Sequence, residues 1–259
     1  MGKVSVIMTS YNKPDYIGKA IQGVLDQTHA DWELLLMDDH SDEATTRVIA
    51  PYLRDPRIRY VRSDPLSVEE RASAVRYAVA INKALGMAAG DYVTYATDDN
   101  VYRPARLAKM SGYLDERADV QIVYSASITT RVRADGTVEK AVHRPAGKLT
   151  WLAPCAVDHC SVMHRRSILQ PILERWGTYW DENPEFYRIG DARFFWRLNQ
   201  YWPFYPLNEV LDDNYMTDQS FHSQLFSKDK SRMVELLPPQ RECRELREDL
   251  RRRQSEAGR

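Results

Sequence analysis

Short apolar runs alternate with stretches of helical periodicity along the first part of the chain. Each run has the length of a strand, and the apolar positions between the runs recur every three or four residues, as they do on one face of a helix. This alternation is typical of a mostly parallel sheet with helices on both faces, so the pattern predicts an α/β fold. The predicted strands are residues 4–8, 33–37, 57–61 and 92–96.

Two helices are predicted between these strands. The first begins near Pro14, and Ile17, Ile21 and Val24 follow at helical spacing. The second is predicted as one long helix over residues 68–88 that ends near Gly90.

The pattern changes beyond residue 120. A strand is predicted at 121–125, and 128–142 alternates around the turn pair Asp135-Gly136, which indicates a hairpin. Residues 150–206 are dense in aromatic residues and proline without regular spacing, a composition that favours pockets over repetitive structure. From Arg241 onward, Arg and Glu at helical spacing predict an exposed helix that frays.

Composition excludes several classes of protein. The 259 residues are 43% hydrophobic and 28% charged, with a formal net charge of -1, so the overall balance recruits neither nucleic acid nor an anionic membrane. No apolar run reaches the length of a membrane span or of a signal peptide. Cys155, Cys160 and Cys243 predict no disulfide framework and fit no common zinc pattern, which indicates a reducing cytosol.

Paired carboxylates follow two of the predicted strands, as Asp38-Asp39 and Asp98-Asp99. Ligands of open parallel sheets bind beyond the carboxyl ends of the strands, so these aspartates are expected at one edge. For Asp38 a turn or capping role is favoured. Asp98 and Asp99 repel each other, and their repulsion predicts a bound Mg²⁺ or Mn²⁺ whose shell substrate phosphates complete.

No glycine-rich phosphate loop or dinucleotide fingerprint follows the first strand. Phosphate contacts are therefore expected from the metal and from Lys13, Arg71 or Arg76, although isolated basic residues are more often solvated surface charges. Tyr11 at the mouth of a strand is either a stacking partner for a base or a half-buried core aromatic.

Six segments carry a resemblance to a known family. "VSVIMTSYNKPDYIGKAI", "ELLLMDDHS" and "GDYVTYATDDN" resemble the nucleotide-binding half of inverting family-2 glycosyltransferases with the GT-A fold. "APCAVDHCSVMHR", "FYRIGDARFFWRLN" and "NYMTDQS" resemble more narrowly the members that build spore-coat polysaccharide, and the similarity covers nearly the whole chain.

The resemblance implies roles for individual residues. Tyr11 lies beside a pyrimidine base, and Asp39 accepts from the N–H of its ring. Asp99 is the metal ligand, while Asn100 replaces an acid that the family often has third, so metal affinity is expected to depend on Asp99 and the diphosphate. The remaining positions that the resemblance implies in nucleotide binding are Thr9, Arg71 and Asp98, the last of them at the ribose, and Lys13 is added to them as a phosphate contact because of its charge.

The general base has two candidates. Asp191 matches the family's proposed base, and its apolar neighbours are expected to raise its pKa; as a structural alternative it caps a helix that begins near Ala192. Asp158 and His159 are the rival, as base or as acceptor contacts, although a histidine so placed is more often a structural hydrogen-bonder. The tryptophans, notably Trp151, Trp180 and Trp196, form either a sugar platform or core packing.

The resulting prediction is a metal-dependent inverting transferase that uses a UDP- or dTDP-sugar and a hydroxyl acceptor, either a glycan or a lipid-linked molecule. It is expected to be cytoplasmic or peripheral at the inner face of the membrane. No nucleic-acid partner and no integral membrane contact are expected, and the sequence predicts no particular oligomeric state. One GT-A domain is predicted over 1–259, with a nucleotide-sugar-binding half (1–103), an acceptor-binding and catalytic half (104–240) and a charged C-terminal helix or tail (241–259).

Three alternatives remain beside it. A nucleotidyltransferase that makes nucleotide sugars usually has a glycine-rich N-terminal loop, and residues 4–13 contain no glycine. An oxidoreductase needs the missing dinucleotide fingerprint. A non-catalytic protein that binds a nucleotide sugar or glycan is disfavoured by the presence of both Asp99 and Asp191 but stays open.

Overall fold

The computed structural model describes residues 2–133, 135–217, 220, 231–256 and 258. The strands in chain order are β1 (Val4–Ser10), β2 (Trp32–Asp38), β3 (Ile58–Arg62), β4 (Tyr92–Thr97), β5 (Asn100–Tyr102), β6 (Ile122–Val132), β7 (Val138–Arg144), β8 (Val162–Arg165) and β9 (Tyr205–Met216). The helices are α1 (Pro14–Leu25), α2 (Glu43–Ile49), α3 (Val68–Ala72), α4 (Arg76–Leu85), α5 (Arg106–Glu116), α6 (Leu169–Trp176), α7 (Gly190–Leu198), α8 (Arg232–Leu236) and α9 (Cys243–Glu256).

Within the described residues the strands form a single sheet in the order β3-β2-β1-β4-β8-β6-β9-β5, with β7 added on β6. β1 pairs in parallel with both β2 and β4, and β2 pairs in parallel with β3. β1, β2 and β4 are buried along nearly their whole length and β3 is buried only at Ile58, and separate cores cover the two faces of the sheet. The predicted α/β fold and its four N-terminal strands are therefore confirmed.

The register of the parallel strands places three strand ends side by side. Ser10 of β1 lies opposite Asp38 of β2, and Thr9 lies opposite Thr97 of β4. The segments that follow these strands consequently meet at one edge of the sheet, as the sequence predicts.

The predicted long helix over 68–88 is wrong, because the chain breaks into α3 and α4. Ser67 and Glu70 form a capping box that starts α3, and the turn after it leaves Val75 extended. The backbone N–H of Val75 donates instead to the carbonyl of Glu182, at 2.9 Å. A long-range hydrogen bond therefore replaces a helical one.

The second part of the chain extends the sheet with mixed pairing. β6 is longer than predicted and runs antiparallel to β7 and β8 but parallel to β9. The hairpin between β6 and β7 is confirmed, and Gly136 adopts a positive φ of 81° in its turn. α9 confirms the predicted C-terminal helix, but it buries Leu246 and Leu250 in an apolar cluster and so is not exposed all round.

The expectation about the cysteines is wrong in one respect. Cys155 and Cys243 form a disulfide that ties the start of α9 to the loop before β8, while Cys160 is buried and has a free thiol. Disulfides persist in oxidising compartments, so this bond removes the cysteine argument for a cytosolic location. Among the described residues, no helix combines the length and apolar character needed to cross a bilayer.

Candidate active site

A cavity of about 400 Å³ opens at the carboxyl ends of β1, β2 and β4. Its strand-end wall is defined by Thr9, Tyr11, Asp39, Asp98 and Asp99, which all lie at or just after a strand. Its loop wall is defined by residues of the second part of the chain: His159, Tyr187, Arg188 and Asp191. Lys13, Arg71 and Arg76 also line the cavity, whereas Asp158 and the candidate tryptophans Trp151, Trp180 and Trp196 are not among its lining residues.

Asp39 forms the centre of a charged cluster in the strand-end wall. Its carboxylate pairs with Arg71 at 2.7 Å and with Arg76 at 2.7 Å. Burial favours the neutral acid, but hydrogen bonding to Arg76 and the charge of Arg71 outweigh it, so the pKa of Asp39 is lowered. An ionised acceptor therefore faces the cavity.

Tyr11 lies next to this cluster. The Arg71 guanidinium stacks 3.9 Å from the centre of the Tyr11 ring, and Tyr11 is 44% exposed. A flat, exposed ring beside an ionised carboxylate offers both a stacking surface and a hydrogen-bond acceptor to a planar base. Tyr11 is therefore not a core aromatic.

The adjacent aspartates Asp98 and Asp99 have different partners. Asp98 is buried and accepts a hydrogen bond from the backbone N–H of Tyr11 at 2.7 Å. Burial, followed by the charge of Asp99, raises the pKa of Asp98 to about 7. Asp99 is more exposed and accepts from the Thr97 hydroxyl at 2.7 Å and from the Lys13 ammonium at 2.5 Å. Lys13 thus supplies the cation that offsets the repulsion.

Lys13 is held by this arrangement. Its ammonium is largely enclosed, which lowers its pKa, but the charges of Asp99 and Asp98 together outweigh burial and leave the pKa raised. Lys13 is consequently charged at the point where Asp99 faces the cavity, and it is well placed to contact an anionic ligand.

The donor atoms around Asp99 fit a divalent cation only in part. Among residues 2–133, 135–217, 220, 231–256 and 258, no group of three or more His, Cys, Asp or Glu side chains is arranged to hold a metal ion. One carboxylate at a cavity wall fits a Mg²⁺ or Mn²⁺ ion that takes its other ligands from water and phosphate. The residues therefore fit a metal that arrives with a diphosphate, and they do not form a protein-only metal cage.

Asn100 points away from this site. Its side chain is completely buried and donates to Asn214 at 2.6 Å and to Asp212 at 3.1 Å. Asp212 in turn pairs with Arg106 at 2.9 Å, and both of these side chains are fully buried. The amide that replaces the family's third acid therefore belongs to the interior network that joins β5 to β9.

Asp191 lies in the first turn of α7, after Gly190, so the expectation that it caps a helix beginning near Ala192 is wrong. The helix begins one residue earlier than Asp191, and Ile189 occupies the capping position without a side-chain hydrogen bond. Burial raises the pKa of Asp191, and the nearby His159 partly offsets this increase. The direction agrees with the sequence-based expectation.

Tyr77 holds the turn that leads to Asp191. Its hydroxyl donates to the Tyr187 carbonyl at 2.9 Å and accepts from the Gly190 backbone N–H at 3.0 Å. A Cβ at Gly190 would lie 2.5 Å from the Tyr77 oxygen, so any other residue there would displace the Tyr77 ring. Tyr77 was not predicted as a site residue. The only feature of the sequence that could have indicated it is its position directly after Arg76.

Asp158 and His159, the rival candidates for the base, differ in their surroundings. Asp158 accepts from Arg144 at 2.6 Å and from the backbone N–H of Cys160 at 3.0 Å, so its carboxylate is already engaged. His159 lines the cavity, with its ring 5.5 Å from that of Trp180. Burial lowers the pKa of His159, and the charge of Asp191 opposes the change.

Core packing accounts for two of the three tryptophans. Trp180 is fully buried and stacks on Phe194 with a ring separation of 4.7 Å. Trp196 is also buried and meets Trp176 edge-on. The sugar-platform interpretation therefore fails for Trp180 and Trp196.

The chain belongs to glycosyl transferase family 2, whose model matches residues 5–170. Among curated relatives, it is 48% identical to protein CgeD of Bacillus subtilis over 221 residues, which is 85% of this chain and 52% of CgeD. It is 36% identical over 144 residues to the putative teichuronic acid biosynthesis glycosyltransferase TuaG of the same organism, 55% of this chain and 53% of TuaG. The chain thus spans about half the length of these relatives.

Solved structures confirm the GT-A fold. Staphylococcus aureus TarS 1-349 in complex with UDP-GlcNAc matches with a TM-score of 0.59 and 16% identity, over 89% of this chain and 60% of that one. Mannosyltransferase PcManGT from Pyrobaculum calidifontis, in complex with GDP-Man and Mn²⁺, matches with a TM-score of 0.57 and 14% identity. The match covers 86% of this chain and 59% of that one. At these identities the likeness concerns the fold alone.

Proposed function

We propose that the protein transfers a sugar, with inversion, from a pyrimidine nucleotide sugar to a hydroxyl acceptor in the synthesis of a surface polysaccharide. The observation that carries the proposal is that one cavity is lined on one side by Tyr11, Asp39 and Asp99 and on the other by Asp191. Nucleotide recognition and a candidate base thereby share one space of about 400 Å³, a volume typical of small-molecule sites.

The strand-end wall supports a nucleoside diphosphate as the donor group. Asp39 is kept ionised by two arginines and can accept from the imide N–H of uracil or thymine, beside the exposed ring of Tyr11. Lys13 carries a positive charge next to Asp99 and would contact the diphosphate. We assign the base to this side and the ribose to Asp98, with either UDP or dTDP as the nucleotide.

A divalent cation, Mn²⁺ or Mg²⁺, is part of the proposal, with Asp99 as its protein ligand. When bound, such an ion stabilises the negative charge that develops on a leaving diphosphate. The single carboxylate of Asp99 supports a site that the donor completes, so metal and nucleotide are expected to bind together.

Asp191 is the proposed general base. It would take the proton of the acceptor hydroxyl while that oxygen forms a bond to the anomeric carbon and the bond to the diphosphate breaks. Its raised pKa makes it a stronger base than an exposed carboxylate, which supports the assignment. His159 is the second group in reach of the same space, and the engagement of Asp158 with Arg144 disfavours Asp158.

The biological setting is also a proposal. A relative carries teichuronic acid biosynthesis in its name, which supports a cell-surface polysaccharide as the product. The resemblance of the second-part motifs supports a spore-coat polysaccharide in particular, and the cytoplasmic side of the membrane as the place of synthesis. The two-part division at residue 103 and the tail from residue 241 belong to the same proposal.

The test is isothermal calorimetry with UDP, dTDP and GDP, each with and without Mn²⁺. We expect UDP or dTDP to bind more tightly than GDP and only in the presence of metal, and Asp99→Asn to lose the metal-dependent binding. Asp31→Asn, an equal change at an exposed aspartate, serves as the control. Equal affinity for UDP with and without metal would overturn the metal assignment, and preferred binding of GDP would overturn the pyrimidine assignment.

A further inference from the structure

The hairpin that contains β7 has an unusual surface. We define the basic hairpin as residues 128–149, which contain five Lys or Arg and two acids in a chain whose net charge is -1. All five of these basic residues are exposed: Arg131, Arg133, Lys140, Arg144 and Lys148. A local positive surface is thus hidden by the nearly neutral overall charge.

Apolar side chains are exposed on the same hairpin. Val138 is 63% exposed, Val142 41% and Leu149 44%. In the described part of the chain, only six large hydrophobic residues are exposed, and these are three of them. Side chains alternate along a strand, so Lys140, Val142 and Arg144 share one face of β7, whereas the register shift at Arg131/Val132 places Val138 on the other face, opposite Val132. Basic and apolar side chains therefore alternate on one surface.

The ordinary explanation accounts for only half of this pattern. Edge strands often carry Lys or Arg because charge prevents pairing with another sheet edge, and within the described residues β7 pairs only with β6. That purpose is served by polar neighbours and gives no reason for Val142 between Lys140 and Arg144, or for the exposed Val138 on the other face. A second copy of this chain is also disfavoured as the occupant, since it would bring the same positive charges together.

We propose that the basic hairpin docks the protein on an anionic lipid surface. Lys and Arg side chains reach lipid phosphates while short apolar side chains enter the boundary between headgroups and acyl chains. Among the residues that the structure describes, β7 pairs only with β6, so phosphate oxygens can also accept from backbone N–H groups at its outer edge.

The hairpin is connected to the cavity. Arg144 at the end of β7 pairs with Asp158 at 2.6 Å, and the next residue, His159, lines the cavity. Docking would therefore hold the loop wall close to the lipid surface, where a lipid-linked acceptor would be presented. This last step rests on the proposed transfer function, whereas the docking itself does not.

The experiment is co-sedimentation of the full chain with vesicles. Vesicles of phosphatidylglycerol and phosphatidylcholine in equal amounts are compared with vesicles of phosphatidylcholine alone. We expect binding only to the anionic vesicles, and weaker binding as salt increases. The double variant Arg133→Glu/Lys140→Glu should lower vesicle affinity by about tenfold or more. Val138→Ser/Val142→Ser should lower it as well, including at high salt.

The matched control is Arg244→Glu/Arg251→Glu, which makes the same charge change at exposed positions of α9. Vesicle affinity should be unchanged in this control. Docking is overturned if the hairpin variants bind like the unmodified chain, if neutral vesicles bind equally well, or if heparin is bound while anionic vesicles are not. Calorimetry with UDP on the same variants separates the two proposals, because a docking defect leaves nucleotide binding intact.

Discussion

The strand-end wall and the loop wall face the same cavity but are built in different ways. Asp39 follows β2 directly and Asp99 lies two residues after β4, so the register of the parallel strands brings them to the same edge of the sheet. Asp191 is placed by contacts between distant parts of the chain, including the hydrogen bonds of Tyr77 to the turn before α7. One wall is determined by local pattern and the other by tertiary structure.

The two walls also differ in the charge state that they favour for their carboxylates. Asp39 is buried but paired with two arginines, and its pKa is lowered. Asp191 is enclosed, and burial raises its pKa by more than the nearby His159 offsets. The strand-end wall thus keeps fixed charge, which suits binding, whereas the loop wall keeps a group that gains a proton readily, which suits proton transfer.

The sharpest test of this comparison is Asp191→Asn, for which the largest effect is expected. Removal of the base should lower the rate of transfer by about 10²- to 10⁴-fold, while the affinity for UDP stays nearly constant. Nucleotide release with a hydroxyl acceptor measures the rate, and calorimetry measures the affinity. In the unmodified protein the rate should rise with pH through the raised pKa of Asp191, since the base acts only when deprotonated.

Asp158→Asn is the paired control for that experiment. Because Asp158 binds Arg144 and a backbone N–H, its replacement should change the transfer rate little. If Asp191→Asn retained full activity, the base would have to be reassigned to His159. The contrast between the ionised Asp39 and a proton-accepting Asp191 would then not explain catalysis.

The second prediction concerns the strand-end wall and a smaller effect. Asp39→Asn removes the charge that holds Arg71 and Arg76, and it should weaken UDP binding by about 10- to 100-fold, because hydrogen bonds to charged groups contribute about 1.5–3 kcal/mol. The rate at saturating donor should change much less, since the variant leaves Asp191 in place. A titration of each variant with UDP and Mn²⁺ provides the measurement.

The neighbouring Asp38→Asn is a matched control. Asp38 accepts from the Tyr60 hydroxyl at 2.7 Å and from the Ser41 backbone N–H at 3.1 Å, so it stabilises the loop after β2 without lining the cavity. We expect Asp38→Asn to lower the free energy of unfolding and to leave UDP affinity unchanged. An equal loss of affinity in both variants would show that the loop, and not the Asp39 charge, determines binding.

The same contrast explains how much the sequence could predict. Strand positions and the paired aspartates follow from apolar runs and parallel pairing, so most of the strand-end wall was accessible from pattern alone. The break between α3 and α4 was not, because it depends on a hydrogen bond from Val75 to Glu182. The pairing of Cys155 with Cys243 was missed for a similar reason: a sequence separation of 88 leaves no local signal.

In the loop wall, His159 was a candidate from its chemistry, whereas Asp191 was put forward as the base only through the family resemblance. Asp191 has no pattern that distinguishes it from a helix cap, and Tyr77 has no pattern at all, since both act through contacts that form only in the folded chain. Asn100 shows that a sequence pattern can also indicate a role that the folded structure does not give the residue. Its sequence position indicates a metal site, but pairing of β5 with β9 turns the side chain toward the interior.

Tyr77 joins the two walls, and Tyr77→Phe is expected to give the smallest effect. It is the second residue of α4 and follows Arg76, which pairs with Asp39. Its hydroxyl also accepts from the backbone N–H of Gly190 and so holds the turn before Asp191. Loss of the hydroxyl leaves the Tyr187 carbonyl and the Gly190 N–H without this partner, at a cost of about 1–3 kcal/mol to the turn. We expect the rate of transfer to fall about tenfold with little change in UDP affinity.

A change in pH dependence separates positioning from general destabilisation in this variant. Burial is the main cause of the raised pKa of Asp191, so a looser turn should admit water and return that pKa toward its ordinary value. The acid limb of the rate profile should then move to lower pH. Tyr124→Phe is the control, because its hydroxyl donates to the Lys148 carbonyl at 2.6 Å, away from the cavity. If both variants lost activity equally with unshifted profiles, Tyr77 would only stabilise the fold, and the two walls would be independent.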